Sequence, residues 1–237
     1  MKYQIIFTND EFVVINKPAG LIAHGAKHID EISLTDELIK EFPEIAKVGD
    51  DPDRPGLMHR LDKLASGLMV IARTQDSFDN LKKQFQKREV EKIYTALVYG
   101  KVVKDEDEIN FPIDRSAKGF KMAALPISKN GETNEDGRKA FSEFLVIQRF
   151  INYTLLRVKI KTGRTHQIRV HMAAYGHPLV GDDLYGTSKT RTKNKKLKTQ
   201  RIFLVASELA FKDLAGKNHH FRIELPEEFK EFLEIIK

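Results

Sequence analysis

What most constrains this chain is that its apolar residues come in short, β-branched runs, each stopped by glycine, proline or charge. Phe12-Val13-Val14-Ile15-Asn16 runs into Lys17-Pro18-Ala19-Gly20, the pattern of a buried strand delivered to a turn. Residues 67–72, 93–99, 140–147 and 153–160 have the same character, and 202–211 can pair with 219–225 across a turn at Gly216. Helical spacing is confined to shorter pieces: Leu34, Leu38, Ile39 and Phe42 before Pro43, then Phe78, Leu81 and Phe85 behind a Thr74 cap. It returns at Ile168, Met172 and Tyr175, closed by Gly176 and Pro178, and in the Phe229, Phe232, Leu233 and Ile236 stripe after Pro226. Without a repeat or a Gly/Ser linker to separate strands from helices, the pattern predicts one mixed α+β domain over residues 1–237.

Function classes fall away quickly. The chain has no cysteine, which removes disulfides, thiolate catalysis and cysteine-held metals, and fits a reducing cytoplasm. His166, His171 and His177 lie near one another, but their spacing is not that of a His-x-x-x-His zinc helix, so no metal is expected. No Gly-x-x-x-x-Gly-Lys or Gly-x-Gly-x-x-Gly run follows a strand, so no nucleotide cofactor is indicated. Nothing approaches the ~20 apolar residues of a membrane span, and without a surplus apolar face a monomer is the default.

A net charge of +6 mildly favours a polyanionic partner. The charge is concentrated: residues 188–201 hold seven Lys or Arg and no acid, which predicts an exposed basic loop. The acidic run at 105–108 and the polar stretch 131–137 read as solvated hairpin tips. Two places set arginine beside a potentially buried acid or helix: Arg60 with Asp62, and Arg164 with Arg169. Spacing alone fits a structural ion pair as readily as a catalytic one.

The wider context points further. His59-Arg60-Leu61-Asp62-Lys63-Leu64-Ala65-Ser66-Gly67-Leu68, introduced by Asn16-Lys17-Pro18-Ala19-Gly20-Leu21, resembles the RluA-type family of RNA pseudouridine synthases. Glu91-Lys92-Ile93-Tyr94-Thr95-Ala96-Leu97-Val98-Tyr99-Gly100 is similar to the family's tyrosine motif. Thr162-Gly163-Arg164-Thr165-His166-Gln167-Ile168-Arg169-Val170-His171 is similar to its arginine motif, and Gly176-His177-Pro178-Leu179-Val180-Gly181-Asp182 to the segment after it. The blocks keep the family's order across residues 12–225. Ala65 replaces the more usual threonine, which touches local packing and no reactive group.

The resemblance implies a long mixed, mainly antiparallel sheet flanked by helices, the pseudouridine synthase catalytic fold, without the N-terminal RNA-binding module many relatives carry. It implies a redox-neutral isomerisation needing no cofactor, with RNA as partner: large-subunit ribosomal RNA first, transfer RNA next. Asp62 becomes the catalytic carboxylate, suited to an electron-poor anomeric carbon. A ribose ester, a ring adduct and elimination to a glycal all remain open. Arg169 would hold Asp62 ionised, and Tyr94 would pack beside the uracil as a candidate base. Arg60 would fill the stack vacated by a flipped nucleotide. His59, Arg164, Lys189, Arg191, Lys193, Lys195, Lys196 and Lys198 are the expected RNA contacts. Two competing functions share these residues: an RNA-binding protein without turnover, and a hydrolase that releases free uracil.

Overall fold

The computed structural model describes residues 2–25, 31–116, 121–125, 137–197 and 199–237. Its first half runs β1 (Gln4–Thr8), β2 (Phe12–Lys17), α1 (Leu34–Glu41), a 3-10 turn (Pro43–Lys47), β3 (Ser66–Ala72), α2 (Gln75–Lys87) and β4 (Glu91–Tyr99). There follow β5 (Glu106–Ile109), β6 (Ile113–Arg115), β7 (Met122–Ala124), β8 (Ser142–Arg149) and β9 (Tyr153–Ile160). The rest is α3 (Gln167–Ala174), α4 (Ser188–Asn194), β10 (Leu204–Lys212), β11 (Asn218–Arg222) and α5 (Glu227–Ile235). Two compact units result: residues 1–92 with 205–224, and residues 93–204 with 225–237.

In the first unit β1, β2 and β3 pair antiparallel in order, β10 joins β3 in parallel, and β11 returns antiparallel to β10. All of β3 is buried, the condition of a strand covered on both faces, which is why it reads as an unbroken apolar run. Phe12, Val14, Leu68, Val70 and Ala72 share a core with Phe78 and Leu81 of α2 and with Leu209 and Phe211. The Thr74 hydroxyl caps α2 by accepting from the Ser77 N–H. Gly67 lies at φ +122°, and a Cβ there would sit 2.4 Å from the Ala206 carbonyl oxygen, so the parallel pairing of β3 with β10 depends on glycine.

In the second unit β4, β9, β8 and β5 form an antiparallel sheet in that order. β6 and β7 make a separate hairpin, onto which Arg138 adds reciprocal backbone bonds with Ile113 of 2.9 and 3.0 Å. Phe229 of α5 is fully buried with its ring against Phe203, centroids 5.0 Å apart.

The expected mixed, mainly antiparallel architecture with helices is found, and two local expectations need correction. Residues 105–108 are not a hairpin tip: β5 pairs with β8 from Glu106 to Ile109, with Glu106 and Glu108 exposed and Asp107 accepting from the Tyr175 hydroxyl at 2.6 Å. Residues 188–201 are not a loop throughout. The Thr187 hydroxyl accepts from the Thr190 N–H and starts α4, which buries Thr190 and Asn194. Asn194 acts as a polar core residue: its Oδ1 accepts from the Tyr99 hydroxyl (2.6 Å) and the Gly181 N–H (3.0 Å), and its Nδ2 donates to Asp183 (2.9 Å). Arg201 too is buried, donating to the Ile202 carbonyl. Hydropathy missed this packing because satisfied polar groups carry it. Residues 131–136 of the other expected hairpin tip lie outside the described residues.

Candidate active site

Asp62, Arg60 and His59 belong to the first unit; Tyr94, Arg164, Arg169 and the basic helix belong to the second. Asp62 is half-buried on the loop entering β3. The Ala65 N–H donates to its carbonyl at 3.1 Å, and the Gly20 N–H donates to the Lys63 carbonyl at 2.7 Å. Behind this loop lies a lysine with no exposed surface: Lys17 Nζ donates to the carbonyls of Pro18 (2.8 Å), Leu21 (2.8 Å) and Lys63 (3.2 Å). An ammonium carries three donors, and three carbonyls make its burial tolerable. One side chain thus ties the Lys17–Gly20 turn to the segment carrying Asp62.

Arg60 is exposed, with Nη1 3.0 Å from His24 Nε2. Burial pushes the His24 pKa down, so the ring stays neutral, accepting from Arg60 and donating from Nδ1 to the Gly25 carbonyl at 2.8 Å. His59 faces its own strand. Its Nε2 accepts from the Val70 N–H at 3.1 Å, its ring stacks on Phe85 at 4.7 Å, and burial pushes its pKa down to about 3. A neutral ring engaged with backbone supports β3 rather than a phosphate. Lys92 Nζ lies 5.4 Å from the centre of the same Phe85 ring, its pKa lowered by burial to about 8.

Tyr94 is 8% exposed on β4, opposite Val158 of β9. Arg169 is buried on α3, as the sequence predicted, and its Nε and Nη2 donate to the two oxygens of Asp182 at 2.7 and 3.0 Å. This is a bidentate fork on a carboxylate that is itself 1% exposed. The same Asp182 Oδ1 accepts from the Leu184 and Tyr185 N–H groups. Tyr185 then turns its ring beneath the Arg169 guanidinium, 5.0 Å away. Gln167 and His171 of the arginine motif act as scaffold. Gln167 Oε1 accepts from the Thr162 hydroxyl and the Arg164 N–H, its Nε2 donates to the Phe141 carbonyl, and His171 bridges Ser142 and the Phe111 carbonyl.

Of the expected RNA contacts, Lys189, Arg191, Lys195 and Lys196 are exposed on or just after α4, while Lys193 lies over the Tyr99 ring at 5.5 Å. Lys198 lies outside the described residues. Arg164 anchors its Nε on the Lys139 carbonyl at 3.1 Å. It also lines a cavity of about 550 Å³ with Arg115, Lys121, Arg138 and His166.

Sequence reasoning missed Lys17, Asp182, Tyr185, Arg115, Lys121 and Arg138. Asp182 stood in a quoted motif, but no spacing rule joins position 182 to 169. Arg115, Lys121 and Arg138 are separated along the chain and line one cavity only through the β6–β7 hairpin and the bridge from Ile113 to Arg138.

Comparison with known proteins bears on what these residues do. The family model described as RNA pseudouridylate synthase matches residues 11–174. An RNA pseudouridine synthase of Aquifex aeolicus is 38% identical over 232 residues, 95% of this chain and 70% of that protein. A ribosomal large subunit pseudouridine synthase D of Pseudomonas aeruginosa is 41% identical over 187 residues, 78% of this chain but only 54% of that one. Among solved structures, human RNA pseudouridylate synthase domain containing 4 superposes with a TM-score of 0.78 at 24% identity, over 98% of this chain and 92% of that chain. At that identity it shows the fold.

Proposed function

The chain belongs to the RNA pseudouridylate synthase family, and from that premise we propose that it isomerises uridine to pseudouridine in large-subunit ribosomal RNA, with Asp62 as the catalytic carboxylate. The reaction is redox-neutral. The bond from ribose C1′ to N1 breaks, a bond from C1′ to C5 forms, the hydrogen on C5 is lost and N1 gains a proton. An ionised carboxylate meets the electron-poor C1′ or the ring that leaves it. For Asp62 to remain an anion in a closed site it needs a fixed cation. A guanidinium has two hydrogen-bonding edges. Asp182 takes the Nε–Nη2 edge of Arg169, and Arg169 is the residue the family motif assigns to the role of that cation.

Tyr94 is assigned to the face of the uracil, and the exposed Arg60 to the space left when the nucleotide leaves its stack. The exposed cations of α4 fit phosphate contacts, which add affinity without reading sequence. Large-subunit ribosomal RNA is favoured because the Pseudomonas relative carries that substrate in its name; transfer RNA is the second candidate. We place the enzyme in the cytoplasm as a monomer; among the described residues no helix is long and apolar enough to cross a membrane.

The observation that carries the proposal is a family match enclosing Asp62, Tyr94 and Arg169 together, with Arg169 found buried on a second carboxylate. The test is tritium release from RNA labelled at C5 of uridine. Release from ribosomal transcript with no change in RNA mass, absent in Asp62→Asn, is the expected result. Free uracil would instead identify a hydrolase, and tight binding without release from any RNA pool would identify a binding protein.

A further inference from the structure

The cavity of the second unit is lined by Ile113, Asp114, Arg115, Met122 and Lys121 of the β6–β7 hairpin region, by Arg138, and by the loop from Gly163 to His166. Among the described residues of the lining, four cations, Arg115, Lys121, Arg138 and Arg164, stand beside one carboxylate, Asp114. That carboxylate already accepts from the Arg115 N–H at 2.7 Å. Among the described residues Arg115, Arg138 and Arg164 have no carboxylate within ion-pair distance. Cations collected in a concave wall without carboxylates to neutralise them raise the local potential and concentrate anions.

The wall is built rather than incidental. Arg138 is fixed by its two backbone bonds to Ile113. The Arg164 N–H is held by Gln167 and its guanidinium Nε by the Lys139 carbonyl, which directs the remaining N–H groups of its fork away from that anchor. Lys121 donates to the Leu184 carbonyl at 2.9 Å. His166 closes the end in the left-handed region at φ 56°, its Nδ1 2.7 Å from the Tyr185 hydroxyl, and the Met122 N–H donates to that hydroxyl at 3.0 Å. Tyr185 is the ring that lies beneath Arg169. The cavity wall and the support of the buried arginine therefore share one side chain.

We propose that this cavity is a docking groove for the phosphodiester backbone of the substrate RNA, with Arg115, Arg138 and Arg164 as its phosphate contacts and Tyr185 linking it to Arg169. Backbone rather than base is the ligand because the lining offers guanidinium forks and an exposed glycine backbone, while its one aromatic ring among the described residues, His166, is already engaged edge-on with Tyr185. The inference rests on the synthase reading only for the identity of the RNA; the groove itself stands on geometry and charge.

The test uses the full chain carrying Asp62→Asn, to stop turnover. Fluorescence anisotropy follows binding to two probes, a labelled oligouridylate and transcribed large-subunit ribosomal RNA, across a salt series. Arg115→Gln with Arg138→Gln is expected to lower affinity for both probes at least tenfold and to flatten the slope of log affinity against log salt by about 1.4, two single-strand phosphate contacts of ~0.7 each. A control with equal charge loss, Lys87→Gln with Lys101→Gln, is expected to keep the parent affinity and slope. Thermal melting checks that each variant is folded, and Arg115→Glu alone supplies a second variant with a predicted loss. Unchanged affinity in the arginine variants, or an equal loss in the control, overturns the groove. Failure of the synthase reading looks different: the unmodified chain would release no tritium from any RNA while the arginine variants still lost binding.

Discussion

Arg169 shows what one residue can demand of its neighbours. Its guanidinium is buried, so it stays in place only because Asp182 meets it with both oxygens. Removing one partner of such a pair strands the other charge at a cost of ~3–5 kcal/mol. Asp182→Ala is therefore expected to lower the melting temperature sharply as well as activity, whereas Asp182→Glu should recover part of the stability; calorimetry on both variants checks this. His59 makes a second residue-level prediction. Its folded pKa of about 3 lies below the ordinary value near 6.5. The unfolded chain thus binds a proton that the folded chain refuses. Stability from this residue is complete above pH 6.5 and falls as the pH drops toward 3, by ~1.4 kcal/mol per unit. Urea titrations at pH 6.5 and 5 should differ by ~2 kcal/mol more in the parent than in His59→Gln. At this scale the sequence singled out Asp62, Tyr94 and Arg169 as candidates, because ordered motifs surround them. It did not disclose Asp182 or Lys17, whose partners are backbone carbonyls and a distant side chain that no linear pattern joins.

Among the elements, strands were the legible part. A strand covered on both faces must be apolar throughout, so β3 and β4 announce themselves, and Tyr153–Ile160 was delimited by its own β-branched residues and flanking polar turns. α4 was hidden because Thr190 and Asn194 do the burying with hydrogen bonds. The Lys17 turn belongs to this scale as well. Lys17→Met keeps the bulk and removes three hydrogen bonds, leaving the Pro18, Leu21 and Lys63 carbonyls without that donor. Losses of ~1–3 kcal/mol per unsatisfied buried group should destabilise the first unit and loosen the segment carrying Asp62. Hydrogen exchange at Lys63–Ala65 amides is expected to quicken in this variant; unchanged exchange would show that the turn holds without the lysine. Gly67→Ala tests the neighbouring joint. Its Cβ would collide with the Ala206 backbone, so the parallel β3–β10 pairing should open, with loss of cooperative unfolding.

For the whole molecule, the excess positive charge of the chain and the exposed cations of α4 predict steeply salt-dependent RNA binding. A log–log slope shallower than about −1.4, fewer than two single-strand phosphates, would remove the basic helix and the groove from the interface together. Total charge was legible at once, but its distribution over the hairpin and the loop before α3 was not, since folding alone gathers Arg115, Arg138 and Arg164. Neither compact unit is continuous: residues 205–224 complete the first and residues 225–237 the second. A chain emerging from the ribosome at ~5–20 residues per second thus leaves one edge of β3 open for roughly 10 s before its parallel neighbour exists. Nascent protein of this design has a window in which a foreign strand could bind that edge. Chaperone dependence during synthesis, rather than fragility once finished, is where a weakened β10 should first be felt.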